Sequence, residues 1–140
     1  MKGFYLKWLT VFIGILILAA SCRKDDPVLP SEPTLVNPWE QVTGDIYGFF
    51  LLNEGNMGTN QASLDYYNYE TGVYTRNIYG ERNPYEVKDL GDVGNDIQIY
   101  GDKLWAVINC SNYVEVMDVN TVKHITKIAI PNCRYLAFKG

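Results

Sequence analysis

The chain has little of what most catalytic and nucleic-acid-binding proteins need. Among 140 residues there is one histidine, His124, and there are three cysteines, Cys22, Cys110 and Cys133. A lone histidine cannot supply the paired ligands of a zinc or iron site. It lies in a segment read below as an outer strand, where it reads as a surface or hydrogen-bonded residue. No serine or cysteine sits in a nucleophile motif, and neither a phosphate loop nor an EF-hand spacing occurs. Basic residues are scarce as well, 12 Lys+Arg against 16 Asp+Glu, a net charge of −4. Without a basic patch the electrostatic footprint of nucleic-acid binding is missing, and anionic lipid headgroups have nothing to attract them. No apolar stripe of 3.6-residue period appears, which excludes a helical bundle. The sequence thus predicts no catalytic residue, no metal site and no cofactor.

One long apolar run is present, and it stands at the N-terminus. Lys2 and Lys7 precede Val11-Phe-Ile-Gly-Ile-Leu-Ile-Leu-Ala-Ala20, followed by a small residue. That is the layout of a secretory signal over residues 1–21, its core short for a membrane span. An uncleaved signal anchor is the alternative, and Lys7 interrupts the stretch it would need. Leu18-Ala19-Ala20-Ser21-Cys22 resembles the lipobox of bacterial lipoproteins, which implies lipid on Cys22 and attachment to a membrane through it. Cys22-Arg23-Lys24-Asp25-Asp26 resembles the lysine-plus-two-acids signal of Bacteroidetes-type lipoproteins. By that resemblance Lys24, Asp25 and Asp26 direct the protein to the outer face of the outer membrane. Residues 22–140 carry ten Lys+Arg against sixteen Asp+Glu, a net charge of −6. Residues 22–45 read as a tether, because Pro27, Pro30, Pro33 and Pro38 deny it helix and ladder hydrogen bonds.

From residue 46 the pattern is all-β. Tyr, Val and Ile are abundant and turn residues recur at short spacing. Strands are predicted at Tyr47–Asn53, Ser63–Tyr69, Val73–Tyr79, Asp96–Tyr100, Lys103–Asn109, Tyr113–Val119, Lys123–Ile130 and Tyr135–Lys139. Self-comparison then organises them. Leu64-Asp-Tyr-Tyr-Asn-Tyr-Glu-Thr71 aligns without gaps on Val114-Glu-Val-Met-Asp-Val-Asn-Thr121, an offset of 50, and Asp96–Gly101 aligns on Tyr135–Gly140, an offset of 39. A repeating four-strand unit of roughly 40 residues is the blade of a β-propeller. The prediction is a propeller of four-stranded antiparallel blades over residues 46–140, here about two blades. A generic meander is the alternative.

Three stretches carry a resemblance. Tyr47-Gly-Phe-Phe-Leu-Leu-Asn-Glu-Gly-Asn-Met-Gly58, Asp96-Ile-Gln-Ile-Tyr-Gly-Asp-Lys-Leu-Trp-Ala-Val-Ile-Asn109 and Arg134-Tyr-Leu-Ala-Phe138 are similar to the YncE-like (YVTN-type) propeller lipoproteins. The resemblance covers about residues 46–140. Its best-understood surface members resemble BtuG, which captures cobalamin beside a TonB-dependent transporter. Family members close about seven blades, whereas this sequence holds one full blade, one lacking its innermost strand and one strand of a third. It therefore reads as the N-terminal piece of a longer protein.

Candidate site residues follow from strand direction. In an antiparallel blade the second strand ends on the face where the first begins. Asn53, Glu54 and Asn56 then share a face with Asn109 and Asn112, joined by Asn95, Asp96, Asn132 and Arg134. Amides and a guanidinium gathered there can hydrogen-bond a small polar ligand, or they simply make the turns. Asp92 and Asp96 bracket a turn that could also hold a cation. The tyrosines either pack between blades or present rings to a ligand. Cys110 and Cys133 fall on the same face of adjacent blades, either bridged by a disulfide or as two separate thiols. The functional expectation is a surface lipoprotein that captures a nutrient, corrinoid-like or other, for a TonB-dependent transporter. An enzyme with its catalytic residues in further blades and a structural or adhesive surface protein are the alternatives.

Overall fold

The computed structural model describes residues 32–35, 46–86 and 89–139. The expectations for the signal segment, for Cys22 and Lys24-Asp25-Asp26, and for most of the tether lie outside them. Strands run β1 Thr34–Leu35, β2 Gly48–Asn53, β3 Ser63–Asn68, β4 Val73–Thr75, β5 Gly94–Tyr100, β6 Lys103–Ile108, β7 Tyr113–Asp118 and β8 His124–Ala129. One helix, α1, Ile78–Arg82, lies between β4 and β5. They form two antiparallel sheets, ordered β1-β4-β3-β2 and β5-β6-β7-β8. The fold is all-β and consists of two blades, as expected.

Period-two alternation decides which way each blade faces. Phe50 and Leu52 of β2 pair with Tyr66 and Leu64 of β3, and all four turn toward the second blade. They meet Leu104, Ala106, Ile108 and Met117, none of which exposes any surface. Burying side chains of this size contributes about 1.5–3 kcal/mol each, so the seam between the blades is the core. The approach is closest at Gly94, where an added Cβ would lie 2.9 Å from Leu52 Cγ. Any larger residue there would press on the Leu52 side chain in the seam.

The repeat holds in detail at the turns after β3 and β7. Asn68 Oδ1 accepts from Thr71 N at 2.9 Å, and Asp118 Oδ1 accepts from Thr121 N at 2.8 Å. The Thr121 amide and hydroxyl hold the exposed Asp118 carboxyl below the usual carboxylate range. Gly72 and Val122 follow at equivalent places with φ of 66° and 59°.

Three expectations are corrected. The strand predicted over Val73–Tyr79 stops at Thr75. Asp65 Oδ1 accepts from Asn77 N at 2.8 Å, and Asn77 takes a left-handed conformation, its side chain accepting from Gly80 N. The chain turns there into α1 and buries Ile78 and Tyr79 in the seam. Tyr135–Lys139 is no ladder strand. It lies along one face of β5, held by Leu136 N donating to Asp96 Oδ2 at 2.8 Å and by a stacked Tyr100–Phe138 pair at 4.6 Å. Gln98 Nε2 also donates to Leu136 O. Finally, the tether takes part in the fold, since Thr34 and Leu35 pair with Tyr74 and Val73 as the outer strand of the first blade.

Helix α1 locks the blades through one side chain. Asn83, 5% exposed, donates from Nδ2 to Tyr79 O at 2.8 Å and to Val122 O at 2.9 Å. Its Oδ1 accepts from His124 N at 2.8 Å. Nearby Glu115 is fully buried, with Oε1 2.5 Å from His124 Nδ1 and Oε2 3.6 Å from Lys127 Nζ. Glu115 and Asp65 occupy equivalent positions in the repeat, and both are buried carboxylates. His124 is thus partnered, in the outer strand where it was expected.

Two half-buried tyrosines set an alkaline limit. Burial first, and the Glu115 charge second, push the Tyr113 hydroxyl up to about 12. Burial, then the 2.6 Å hydrogen bond to Asp65, push Tyr74 up to about 12. Their folded values exceed the unfolded value near 10, so both favour the fold fully below pH about 10 and lose that contribution as pH rises through about 12. An absorbance titration of tyrosinate, followed alongside circular dichroism, checks this. Tyr74 and Tyr113 should ionise only with loss of the β circular-dichroism signal. Ionisation of Tyr74 and Tyr113 near pH 10 on a folded chain would contradict this.

Candidate ligand-binding face

The loops at one end of both sheets converge, as strand direction requires. Gly94 N donates to Glu54 O at 3.1 Å, Ala62 N to Gly91 O at 2.9 Å and Asn109 N to Val93 O at 2.8 Å. Asp92 accepts from Gly58 N with both carboxylate oxygens, at 3.0 and 2.9 Å, and its own N–H donates to Ser111 Oγ at 2.8 Å. Tyr113 OH closes the cluster on Leu90 O at 2.6 Å. Both Asp92 oxygens and one of Asp96 are therefore held by backbone amides. No group of three or more His, Cys, Asp or Glu suited to a metal ion occurs among the described residues.

The structure separates the nine candidate residues into two groups. Asn109, Asn112, Asn132 and Asp96 mainly hold the chain to itself. Asn109 Nδ2 donates to Cys133 O at 2.7 Å, Asn132 N donates to Asn112 Oδ1 at 3.0 Å, and Asp96 fixes Leu136. Asn112 and Asn132 also take left-handed backbone, with φ of 59° and 55°, which suits asparagine. For these residues the turn-making role is the one seen. Arg134 and Glu54 expose their side chains, and Asn95 Oδ1 is buried without a hydrogen-bond partner among the described residues.

Cys110 and Cys133 do lie at this same end, yet no bridge joins them and both thiols are free. The reason is direction. Cys110 Sγ rests on Asn109 Oδ1 and Cys133 Sγ on Tyr113 O, each at 3.7 Å.

Asn53 and Asn56 belong elsewhere. With Gly55, Gln61, Ser63, Asp65 and Arg76 they line a recess of about 430 Å³ on the first blade. Since Phe50 and Leu52 face the second blade, Asn53, Ser63 and Asp65 must face away from it. Asn53 Nδ2 donates to Ser63 Oγ at 3.1 Å. Asp65 is 7% exposed, its carboxylate accepting from Tyr74 OH and Asn77 N. The recess therefore offers amides, a hydroxyl, one anchored carboxylate and the exposed guanidinium of Arg76. Such a set can donate and accept around a polar molecule but holds no nucleophile–base couple. Gln61, Ser63, Asp65 and Arg76 were not predicted from sequence. The available signal was an acid, Asp65, set between Leu64 and the aromatic pair Tyr66-Tyr67.

A second, larger space of about 920 Å³ opens at the opposite end of the seam. Phe50, Tyr66, Ile78, Ile97 and Leu104 line it together with polar side chains, Asn68, Arg82 and Gln98 among them.

No curated protein matches the chain. Residues 47–140, both blades and the segment that follows them, match the model of the family described as Domain of unknown function (DUF5074), and the chain belongs to that family.

Proposed function

We propose that this protein is a non-enzymatic binding lipoprotein that holds a small polar ligand in the first-blade recess. The observation that carries the reading is the recess itself, with Asn53, Asn56, Gln61, Ser63, Asp65 and Arg76 converging on about 430 Å³. That volume lies within the roughly 300–1,000 Å³ of small-molecule sites. It suits a sugar-sized molecule, or the amide-bearing edge of a corrinoid rather than the whole ring system. The lipobox-like sequence at Cys22 and the acidic export-like signal at Lys24-Asp25-Asp26 support a place on the outer face of the outer membrane. There a captured nutrient would pass to a TonB-dependent transporter. The likeness to YncE-like propellers supports the same reading.

Equilibrium dialysis of the purified chain against cyanocobalamin and against a panel of neutral sugars tests it. One of these probes should be retained, and Arg76→Ala should weaken retention by about tenfold, the loss of one charge-assisted hydrogen bond of about 1.5 kcal/mol. Asn132→Ala, a change at a turn outside the recess, should leave binding unchanged. Retention of none of the probes, or equal retention by Arg76→Ala, would remove the recess from the proposal.

A further inference from the structure

The first-blade recess is walled by a loop that the first blade does not hold by itself. The ladder pairs Asn53↔Ser63 and Ile108↔Tyr113 close equivalent connections, of nine residues (54–62) after β2 and four (109–112) after β6. The longer loop supplies Gly55, Asn56 and Gln61 to the recess. Extended connections on a rigid scaffold are where binding residues are commonly carried. Yet residues 54–58 are all exposed, Met57 at 78%, and the chain rejoins the apolar core only at Ala62. Ordering such residues costs conformational entropy, which apolar burial does not offset here.

The second blade supplies the restraint. Three contacts reach the loop from residues 91–94. Gly94 N donates to Glu54 O at 3.1 Å where the loop begins, and Ala62 N donates to Gly91 O at 2.9 Å where it ends. At the apex both Asp92 oxygens accept the Gly58 N–H, at 3.0 and 2.9 Å. Of the three, only the apex contact is made by a side chain. Asp92 is itself anchored, its N–H donating to Ser111 Oγ at 2.8 Å. Gly91 packs so closely that an added Cβ would lie 2.6 Å from Tyr113 OH and 2.8 Å from Ser111 Oγ. The platform is therefore fixed, and the loop takes its place from it.

The apex is linked in turn to the wall of the recess. Thr59, next to Gly58, donates to Asn56 O from its N–H at 3.1 Å and from its hydroxyl at 2.6 Å. Gly55, at φ 75°, lays the outgoing chain on the returning one, where an added Cβ would lie 2.6 Å from Gln61 C. Asn56 and Gln61 thus move with the apex as one piece. We propose, resting on the reading of the recess as a binding site, that Asp92 of the second blade is a positioning residue for it. Asp92 holds the apex of the loop and so sets where Asn56 and Gln61 stand. The coupling runs both ways: a molecule seated against Asn56 and Gln61 steadies the loop, and with it the contact between the blades.

Amide hydrogen exchange of the full chain, read peptide by peptide, tests the restraint. Equilibrium dialysis against cyanocobalamin and the neutral sugars tests what it does for the recess. Asp92→Ala should speed exchange over residues 55–61 by about tenfold or more, since a charge-assisted hydrogen bond is lost. The β6 and β7 amides should keep their wild-type protection, because the loop opens without the sheet. Retention of the probe that the wild type holds should fall by about tenfold. Asp92→Asn, which keeps one acceptor oxygen for Gly58, should lie between the two on both measures. Should Asp92→Ala also lose protection in β6 and β7, Asp92→Asn makes the same comparison with the smaller change. In the wild type the retained probe should slow exchange over residues 55–61. A loop as protected in Asp92→Ala as in the wild type, or a fast-exchanging loop with undiminished retention, would overturn the proposal. A wild type that retains no probe would overturn the recess reading itself and this role of Asp92 with it, a result distinct from either of those.

Discussion

Replacing His124 with alanine is expected to cost about 3 kcal/mol of unfolding free energy, among the largest effects of any change outside the apolar core. The reason is what remains behind. Glu115 is fully buried, and its Oε1 loses the ring nitrogen 2.5 Å away, which leaves Lys127 Nζ, 3.6 Å from Oε2, as its ion-pair partner among the described residues. A buried carboxylate stripped of its partner bears its desolvation cost uncompensated. Removing both groups is a different matter. The double variant Glu115→Leu, His124→Leu should recover most of the loss, because well-packed apolar residues replace a buried pair at little cost. Urea unfolding of the wild type, the two singles and the double measures this. Additive losses in the double variant would show that the two residues act separately.

Asn83→Ala should cost a similar amount, about 3 kcal/mol. Three hydrogen bonds of 2.8, 2.9 and 2.8 Å end on this one buried amide. Without it the Val122 carbonyl and the His124 N–H are left in a dry seam, and each unsatisfied buried group costs about 1–3 kcal/mol. The loss should appear as a lower urea midpoint with a single transition, since α1 and the second blade come apart together. Asn120→Ala, on an exposed turn of the second blade, should change stability by less than about 0.5 kcal/mol. If Asn83→Ala were equally silent, the two blades would be held by apolar burial alone.

Much of this fold was legible because its signals are local. Apolar and aromatic runs such as Tyr47–Asn53 or Tyr113–Val119, ended by turn residues, need nothing beyond the strand itself. The gap-free match of Leu64–Thr71 to Val114–Thr121 also predicted equivalent turns, and the Asn68 and Asp118 hydrogen bonds are those turns. Helix α1 was not legible. Val73–Tyr79 has strand-like composition, and what ends the strand is Asp65, twelve positions earlier, reaching the Asn77 amide. The lone run Tyr135–Lys139 has the pattern of a strand, but pattern cannot supply a neighbour. The loop-end convergence of Glu54, Asn109 and Asn132 followed from strand direction. The recess did not, because Asp65 and Arg76 meet only through the β3–β4 register.

Gly72 and Val122 occupy equivalent turns with nearly equal positive φ, 66° and 59°. Glycine adopts that conformation freely, while a β-branched residue there costs on the order of 1–2 kcal/mol. The turn of the first blade can therefore close on its own. The turn of the second holds its shape because the Val122 side chain, 3% exposed, is buried in the seam and its carbonyl is bonded by Asn83. The two halves of the repeat are not interchangeable in time. As the chain emerges during synthesis, the first turn can close before the second blade exists, whereas the second turn takes its shape only once the seam has formed.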